Sequence, residues 1–457
     1  MDQSKKNTKI LFMLFVGVLI GALDLSIVGP VLPAIEKSMN IHGRSLSWIF
    51  SIYLLFYLFG IPLMSKLSDV YGRRIIYIVC LAIFGLGATF VSLSGDLTTL
   101  LIGRAIQGFG SSGVFPVAAA TVGDLFPAQK RGKALGLLGA VFGVAFILGP
   151  IIAGSMLHFF NWNAIFLINL PIVLILIIFS IRLLPGKPVG EKPVINWAGI
   201  FLMIVVLSSF SLGLNNMDVE NLATSLGSWS VLPFLLLVFL LTPVLLIYER
   251  KQKDSFLTIE FFRSSQLRLV GFIAFGLGLF QSSIVFLPKL AVELFQVSPS
   301  KASFMLLPLV LSTAIVPPLS GHLLDKIGSR IIVLSGLIFA VASLYLFSML
   351  PKNVLLFYAA EAGLGFGLAI RASLKYIVLN EIGAKERAAA VGMLIIFISI
   401  GQITGASLIG VIIPGSKGIS AGFGNAFVLL TAITTILVIL SLFLQKRKKE
   451  MAKIYTI

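Results

Sequence analysis

Charge is scarce in this 457-residue chain: Asp, Glu, Lys and Arg together make up 12% of it, against about a quarter in soluble domains. So few charges cannot cover a water-facing surface, which excludes a soluble globular protein. With 58% hydrophobic residues, disorder is excluded as well. Cysteine is nearly absent. The lone Cys80 lies inside an apolar run, so disulfides and thiolate metal clusters are excluded, and three scattered His suggest no metal site. The sequence has no Gly-x4-Gly-Lys-[Ser/Thr] loop to cradle phosphates, no His-Glu-x-x-His and no Ser/His/Asp grouping. An enzyme is therefore not expected. Alternating ten-residue strands, the mark of an outer-membrane barrel, are also missing.

Long apolar runs are what the chain has. Fourteen can be counted, over about 10–35, 46–65, 75–94, 97–118, 134–158, 163–181, 195–214, 229–247, 269–288, 302–324, 331–350, 353–372, 388–413 and 424–444. Each is long enough to cross a bilayer and must satisfy its own backbone polar groups there, so each reads as a helix. The first run is too long for a signal-peptide core and leads into others, so it is expected to remain as a span. The fold class is all-α polytopic membrane protein.

Lys and Arg exceed Asp and Glu by 17. In a soluble chain that excess suggests nucleic acid; here it suggests basic loops facing an anionic leaflet. With both termini cytoplasmic, twenty-seven of the 35 basic residues fall on the cytoplasmic side and six outside.

The chain also repeats itself. Asp69-Val-Tyr-Gly72-Arg73-Arg74 after the second run recurs as Asp325-Lys-Ile-Gly328-Ser-Arg330 after the tenth, 256 residues on. Gly108-Phe-Gly110 recurs as Gly365-Phe-Gly367, and Arg131 as Arg387. These offsets predict a six-helix bundle over 1–185, a linker with two extra spans over 186–250, and a second bundle over 251–457. Duplication of this kind is common in secondary transporters. The alternation of charge with Phe256, Leu257, Ile259, Phe261 and Phe262 predicts an interfacial amphipathic helix over 249–268.

Four segments are similar to motifs of the major facilitator superfamily. Asp69-x-x-Gly72-Arg73-Arg74 resembles its loop signature, and Leu101-Ile-Gly-Arg104-Ala-Ile-Gln-Gly108 its fourth-span motif. Gly143-x5-Gly149-Pro150-x-x-Ala153-Gly154 resembles the fifth-span motif of antiporters. Leu23-Asp24-Leu-Ser-Ile-Val-Gly-Pro-Val-Leu-Pro33 looks like the first-span motif of fourteen-span drug:proton antiporters. Ser65, Val70, Ala145 and Ala153 depart from the usual residues. The resemblance implies two six-helix bundles plus two central spans, driven by the proton motive force without a cofactor. It further implies efflux of amphipathic small molecules, cations among them, from a monomer in the cytoplasmic membrane, with no nucleic-acid partner.

Asp24 and Arg104 are charges inside otherwise uncharged runs, where an unpaired charge costs several kcal/mol. At 1.5 Å per residue they lie at similar depths, about 14 and 11 Å, and are able to pair. Such a pair is either a structural bridge or a carboxylate that takes a proton when the pair opens. At the equivalent positions of the second half stand Gln281 and Glu361. Glu361 is then a proton site, a partner for a cationic ligand, or a protonated acid bonded to Gln281 or a carbonyl. Asp69, Gly72, Arg73, Arg74, Asp124, Arg131, Asp325 and Arg330 are candidates for a charge network that gates one face. Gly143, Gly149, Pro150 and Gly154 suit a close-packed, bent helix. Lys289 and Lys375 are expected to snorkel to the interface. Arg371, one turn deeper than Lys375, suits an anionic ligand group. The alternatives to drug export are export or flipping of a lipid or anionic metabolite, and a non-transporting sensor or scaffold.

Overall fold

The computed structural model describes residues 3–41, 44–126, 128–186, 196–217, 221–252, 260–368, 370–382, 387–414, 416 and 418–445. The side chains of Arg131, Asp325 and Arg387 lie outside the described residues. The first helices are α1 (Gln3–Met39), α2 (Arg44–Tyr71), α3 (Arg73–Ser92), α4 (Leu97–Ser112), α5 (Val114–Leu125), α6 (Ala128–Phe159), α7 (Trp162–Leu167) and α8 (Asn169–Leu183). Next come α9 (Trp197–Asn215), α10 (Leu222–Leu226), α11 (Leu232–Arg250), α12 (Glu260–Arg263) and α13 (Ser265–Ser282). A 3-10 turn, Ser283–Phe286, leads into α14 (Leu287–Phe295), α15 (Pro299–Met305), α16 (Leu307–Ile327) and α17 (Ser329–Ser348). The last four are α18 (Val354–Gly367), α19 (Ile370–Glu381), α20 (Arg387–Ile412) and α21 (Ile419–Ser441).

Thirteen helical stretches among the described residues are long and apolar enough to cross a membrane. The missing one is the fourth expected run, which is broken into α4 and α5 at Gly113. Pro116 supplies the reason, because proline clashes with the carbonyl four residues earlier and offers no N–H.

The chain forms two compact units, residues 1–41 with 48–204 and residues 42–47 with 205–457. In the first, α1 packs along α6, and α3 along α4 and α8. In the second, α13 packs along α20, and α17 along α18 and α21. The repeat seen in the sequence reappears in local structure. Gly72 has φ 92° and joins α2 to α3 in a single residue; Gly328, with φ 84°, joins α16 to α17. Side chains rarely adopt that backbone, so glycine is required at both turns. Asp96 caps α4 by accepting from Thr99 N at 2.9 Å, and Asn353 caps α18 by accepting from Leu355 N at 2.8 Å. The Thr99 N–H and hydroxyl hold the Asp96 carboxyl below its usual range. The α4–α5 break before Val114 matches the α18–α19 break before Ile370, again 256 residues on.

Two expectations fail. The interfacial helix over 249–268 is not continuous, although residues 253–259 lie outside the description. The part up to Arg250 belongs to α11, and Ser264 separates α12 from α13 as the latter's cap. Phe261 faces protein, 1% exposed, with its ring 5.4 Å from that of Phe397. Lys289 does not snorkel: the 3-10 turn places it in a buried position, 4% exposed. Lys375 is exposed as expected.

Close helix approach is concentrated at a few glycines. A Cβ on Gly149 would collide with Ser26 Oγ, and one on Gly405 with Ser282 Oγ; the two pairs are repeat equivalents. Gly143 meets no described atom within 4 Å of where its Cβ would be. Gly149→Val should therefore destabilise the protein by about 1–3 kcal/mol through overpacking. Thermal unfolding in detergent should show a lowered midpoint, with Gly143→Val near wild type.

Candidate functional site

Asp24 and Arg104 meet in the first unit as a fully buried ion pair. Arg104 Nη1 donates to Asp24 Oδ2 at 2.5 Å, and neither side chain has any exposed surface. Gln107, one turn beyond Arg104, closes the cluster: its Nε2 donates to Asp24 Oδ1 at 3.1 Å, and its Oε1 accepts from Arg104 Nη1 at 2.9 Å. Arg104 Nε reaches the Ile49 carbonyl at 3.3 Å. The guanidinium lies 4.3 Å from the centre of the Tyr53 ring, whose quadrupole attracts the cation. Tyr53 shares a 2.6 Å hydrogen bond with Ser111. One guanidinium nitrogen, Nη2, has no partner. The charges are thus matched, but hydrogen-bonding capacity is not exhausted.

One turn of α1 joins this cluster to α6. Ser26 donates to the Ala145 carbonyl of α6 at 2.9 Å, so the turn carrying Asp24 is bonded to the glycine-proline helix beside Gly149. Gly149, Pro150 and Gly154 are buried there. A cleft lined by Gly21, Ala22, Leu25, Tyr57, Ser111 and Phe115 lies alongside; apart from its hydroxyls it is apolar and aromatic.

A second cluster sits where α2 turns into α3. Arg73 donates from Nε to Asp124 Oδ2 at 2.9 Å, and from Nη1 to Ser68 Oγ at 2.7 Å and to Asp69. One guanidinium therefore ties three helices, α2, α3 and α5, together. Arg74 is half-buried and stands outside this set. In the second unit, Arg330 is half-buried. Of the remaining candidates there, Gln281 and Glu361 are buried, and Arg371 is exposed at the start of α19. No hydrogen bond joins Glu361 to Gln281 or to a carbonyl.

Gln107, Tyr53 and Ser26 were not singled out by the sequence reading. Gln107 could have been, since a polar residue three after Arg104 shares its helix face. Tyr53 and Ser26 carry no comparable signal.

The sequence profile of the Major Facilitator Superfamily matches residues 14–370 and again residues 270–454. The chain belongs to the major facilitator superfamily. Its second matched stretch begins 256 residues after the first, the offset of the repeat. Superfamily relatives include the uncharacterized MFS-type transporter YfiU of Bacillus subtilis (strain 168), 32% identical over 409 residues, which are 87% of this chain and 78% of that protein. The multidrug transporter protein MdtP of the same organism is 30% identical over 425 residues, 91% of this chain and 77% of its own. Among solved structures, the nucleoside transporter NupG superposes with a TM-score of 0.67 over 97% of this chain and 99% of its own, at 13% identity. The protein is a multi-span membrane transporter of small molecules, and its bacterial relatives place it in the cell membrane.

Breaking a buried pair from one side costs about 3–5 kcal/mol, because a lone charge is left in a low dielectric. Arg104→Leu should lose about that much stability by chemical or thermal unfolding. Adding Asp24→Asn should recover most of it, since the stranded carboxylate is then gone. No recovery would place the value of Arg104 in packing instead.

Proposed function

We propose that this transporter is a proton-coupled exporter of amphipathic small molecules, a member of the fourteen-span drug:proton antiporter branch. The observation that carries the reading is the Asp24–Arg104–Gln107 cluster, a carboxylate with zero exposed surface whose charge is balanced by a single arginine. With the pair closed, Asp24 is an anion. A proton on Asp24 cancels that charge, weakens its hold on Arg104 and frees α1 from α4. The Ser26 bond passes the movement to α6, where close packing at Gly149 seals the unit. One proton moving down one pH unit supplies about 1.4 kcal/mol, enough for roughly tenfold accumulation against a gradient. The Arg73–Asp69–Asp124 cluster is the gate of the first unit, holding α2, α3 and α5 together until it opens. Asp325 and Arg330 are its counterparts in the second.

The space beside Tyr57 and Phe115 is only about 20 Å³, so a lipophilic compound enters only once the unit opens; its aromatic faces attract organic cations. Both termini face the cytoplasm in this reading, and the working unit is a monomer. Purified protein in liposomes with an imposed pH gradient tests it. Ethidium should be driven across by wild type, and Asp24→Asn should lower gradient-driven flux at least tenfold while leaving ethidium binding in place. Flux of an anionic dye or a fluorescent lipid instead of ethidium would favour export of lipids or anionic metabolites, with Arg371 as the anion's contact. Undiminished gradient-driven flux in Asp24→Asn would remove the proton-carrying role.

A further inference from the structure

The second unit buries an acid with no hydrogen-bond partner among the described residues. Glu361 of α18 has no exposed surface, and neither of its carboxyl oxygens has a hydrogen-bond partner. The repeat explains how the site came to be bare. Gly108 packs against the Tyr53 carbonyl and Gly365 against the Leu309 carbonyl, which sets the two halves in register. Glu361 and Leu364 stand where Arg104 and Gln107 do, and Leu309 where Tyr53 does; the Ser26–Ser282 register puts Phe280 at the position of Asp24, with Gln281 the next residue. The cation, the amide and the aromatic face of the first site have all gone. Three acceptor oxygens remain unsatisfied: both of Glu361 and Oε1 of Gln281.

Among the described residues, the charged groups on the helices packed against α18 lie far from Glu361. On α17, Ser343 faces Gly363, so Arg330 is thirteen residues away along the helix, about 20 Å. Tyr345, on the same helix, is exposed. On α16, Ser312 faces Gly365, and Lys326 lies about 21 Å further along. The side chains of His322 and Asp325 on that helix lie outside the described residues. Arg371 is ten residues on from Glu361, about 15 Å, and exposed. Lys289 of α14 gives neither Glu361 oxygen a hydrogen bond. One turn before Glu361, Phe357 meets Phe295 and Phe347 at 5.3 and 5.4 Å. An anion in such surroundings is costly; an acid that keeps its proton is not. Closure of the site also selects among ligands, because a proton needs no volume and an organic cation does.

Building on the exporter reading, we propose that Glu361 is a second proton carrier, independent of Asp24, loaded in this conformation while Asp24 is empty. Its O–H bond breaks when the second unit opens to water; the proton leaves to that water, and the carboxylate is reloaded from the other side. Two protons then exchange per substrate.

Infrared spectroscopy of the full chain tests loading without any substrate. At neutral pH the carbonyl stretch of a protonated carboxylic acid should be present in wild type and in Asp24→Asn, and lost in Glu361→Gln. It should fade on raising the pH and return on lowering it. A spectrum unchanged by Glu361→Gln overturns the proposal and makes Glu361 an ionised cation site. Delivery is read in liposomes with the membrane potential clamped at zero. Ethidium accumulation at equilibrium should change about a hundredfold per pH unit in wild type and about tenfold in Glu361→Gln. The same dependence in both overturns the two-proton cycle. If wild type moves no ethidium, the exporter reading fails for that compound, and the infrared result still decides whether Glu361 carries an exchangeable proton.

Discussion

The cost of placing a charge in a low-dielectric interior governs this molecule more than any other term. Most of the fourteen apolar runs avoid the cost by carrying no charge at all. Asp24 and Arg104 meet it by pairing, and Gln107, the Ile49 carbonyl and the Tyr53 ring absorb what the pair leaves over. Such a cluster adds little net stability compared with an apolar replacement, because desolvation offsets most of the attraction. In the proposed cycle it serves as a two-state element: closed while the carboxylate is charged, loosened once it is neutral. The Ser26 hydrogen bond ties the turn that carries Asp24 to α6.

Duplication supplies the scaffold on which this chemistry rests. The positive-φ turns at Gly72 and Gly328, the capped starts of α4 and α18, and the Gly149–Ser26 and Gly405–Ser282 contacts are the same solutions used twice. These are backbone and packing constraints, and both halves have kept them. The polar residues differ. One half holds a buried ion pair and the other an acid whose oxygens have no hydrogen-bond partner.

Much of the fold was legible in the sequence, because long apolar runs in lipid have few structural options and repeat offsets survive in charged turns. The pairing of Asp24 with Arg104 was legible too, from depth alone. Less was visible wherever three-dimensional neighbours decide. Tyr53 and Ser26 are ordinary residues in composition and become significant only through the atoms opposite them. The break at Gly113 is hidden inside an uninterrupted apolar run, with Pro116 its only trace. Lys289 looked like a span end because counting assumed one regular helix, which the 3-10 turn interrupts. Within the amphipathic pattern around Phe261, that ring packs on Phe397 while Phe262 is exposed.

The central claim is that Asp24 exchanges a proton in step with substrate. The most direct measurement is proton release by purified protein in weakly buffered detergent solution as tetraphenylphosphonium is added. The account predicts release by wild type, and about one proton fewer per molecule from Asp24→Asn at matched occupancy. Equal release from both proteins would contradict it.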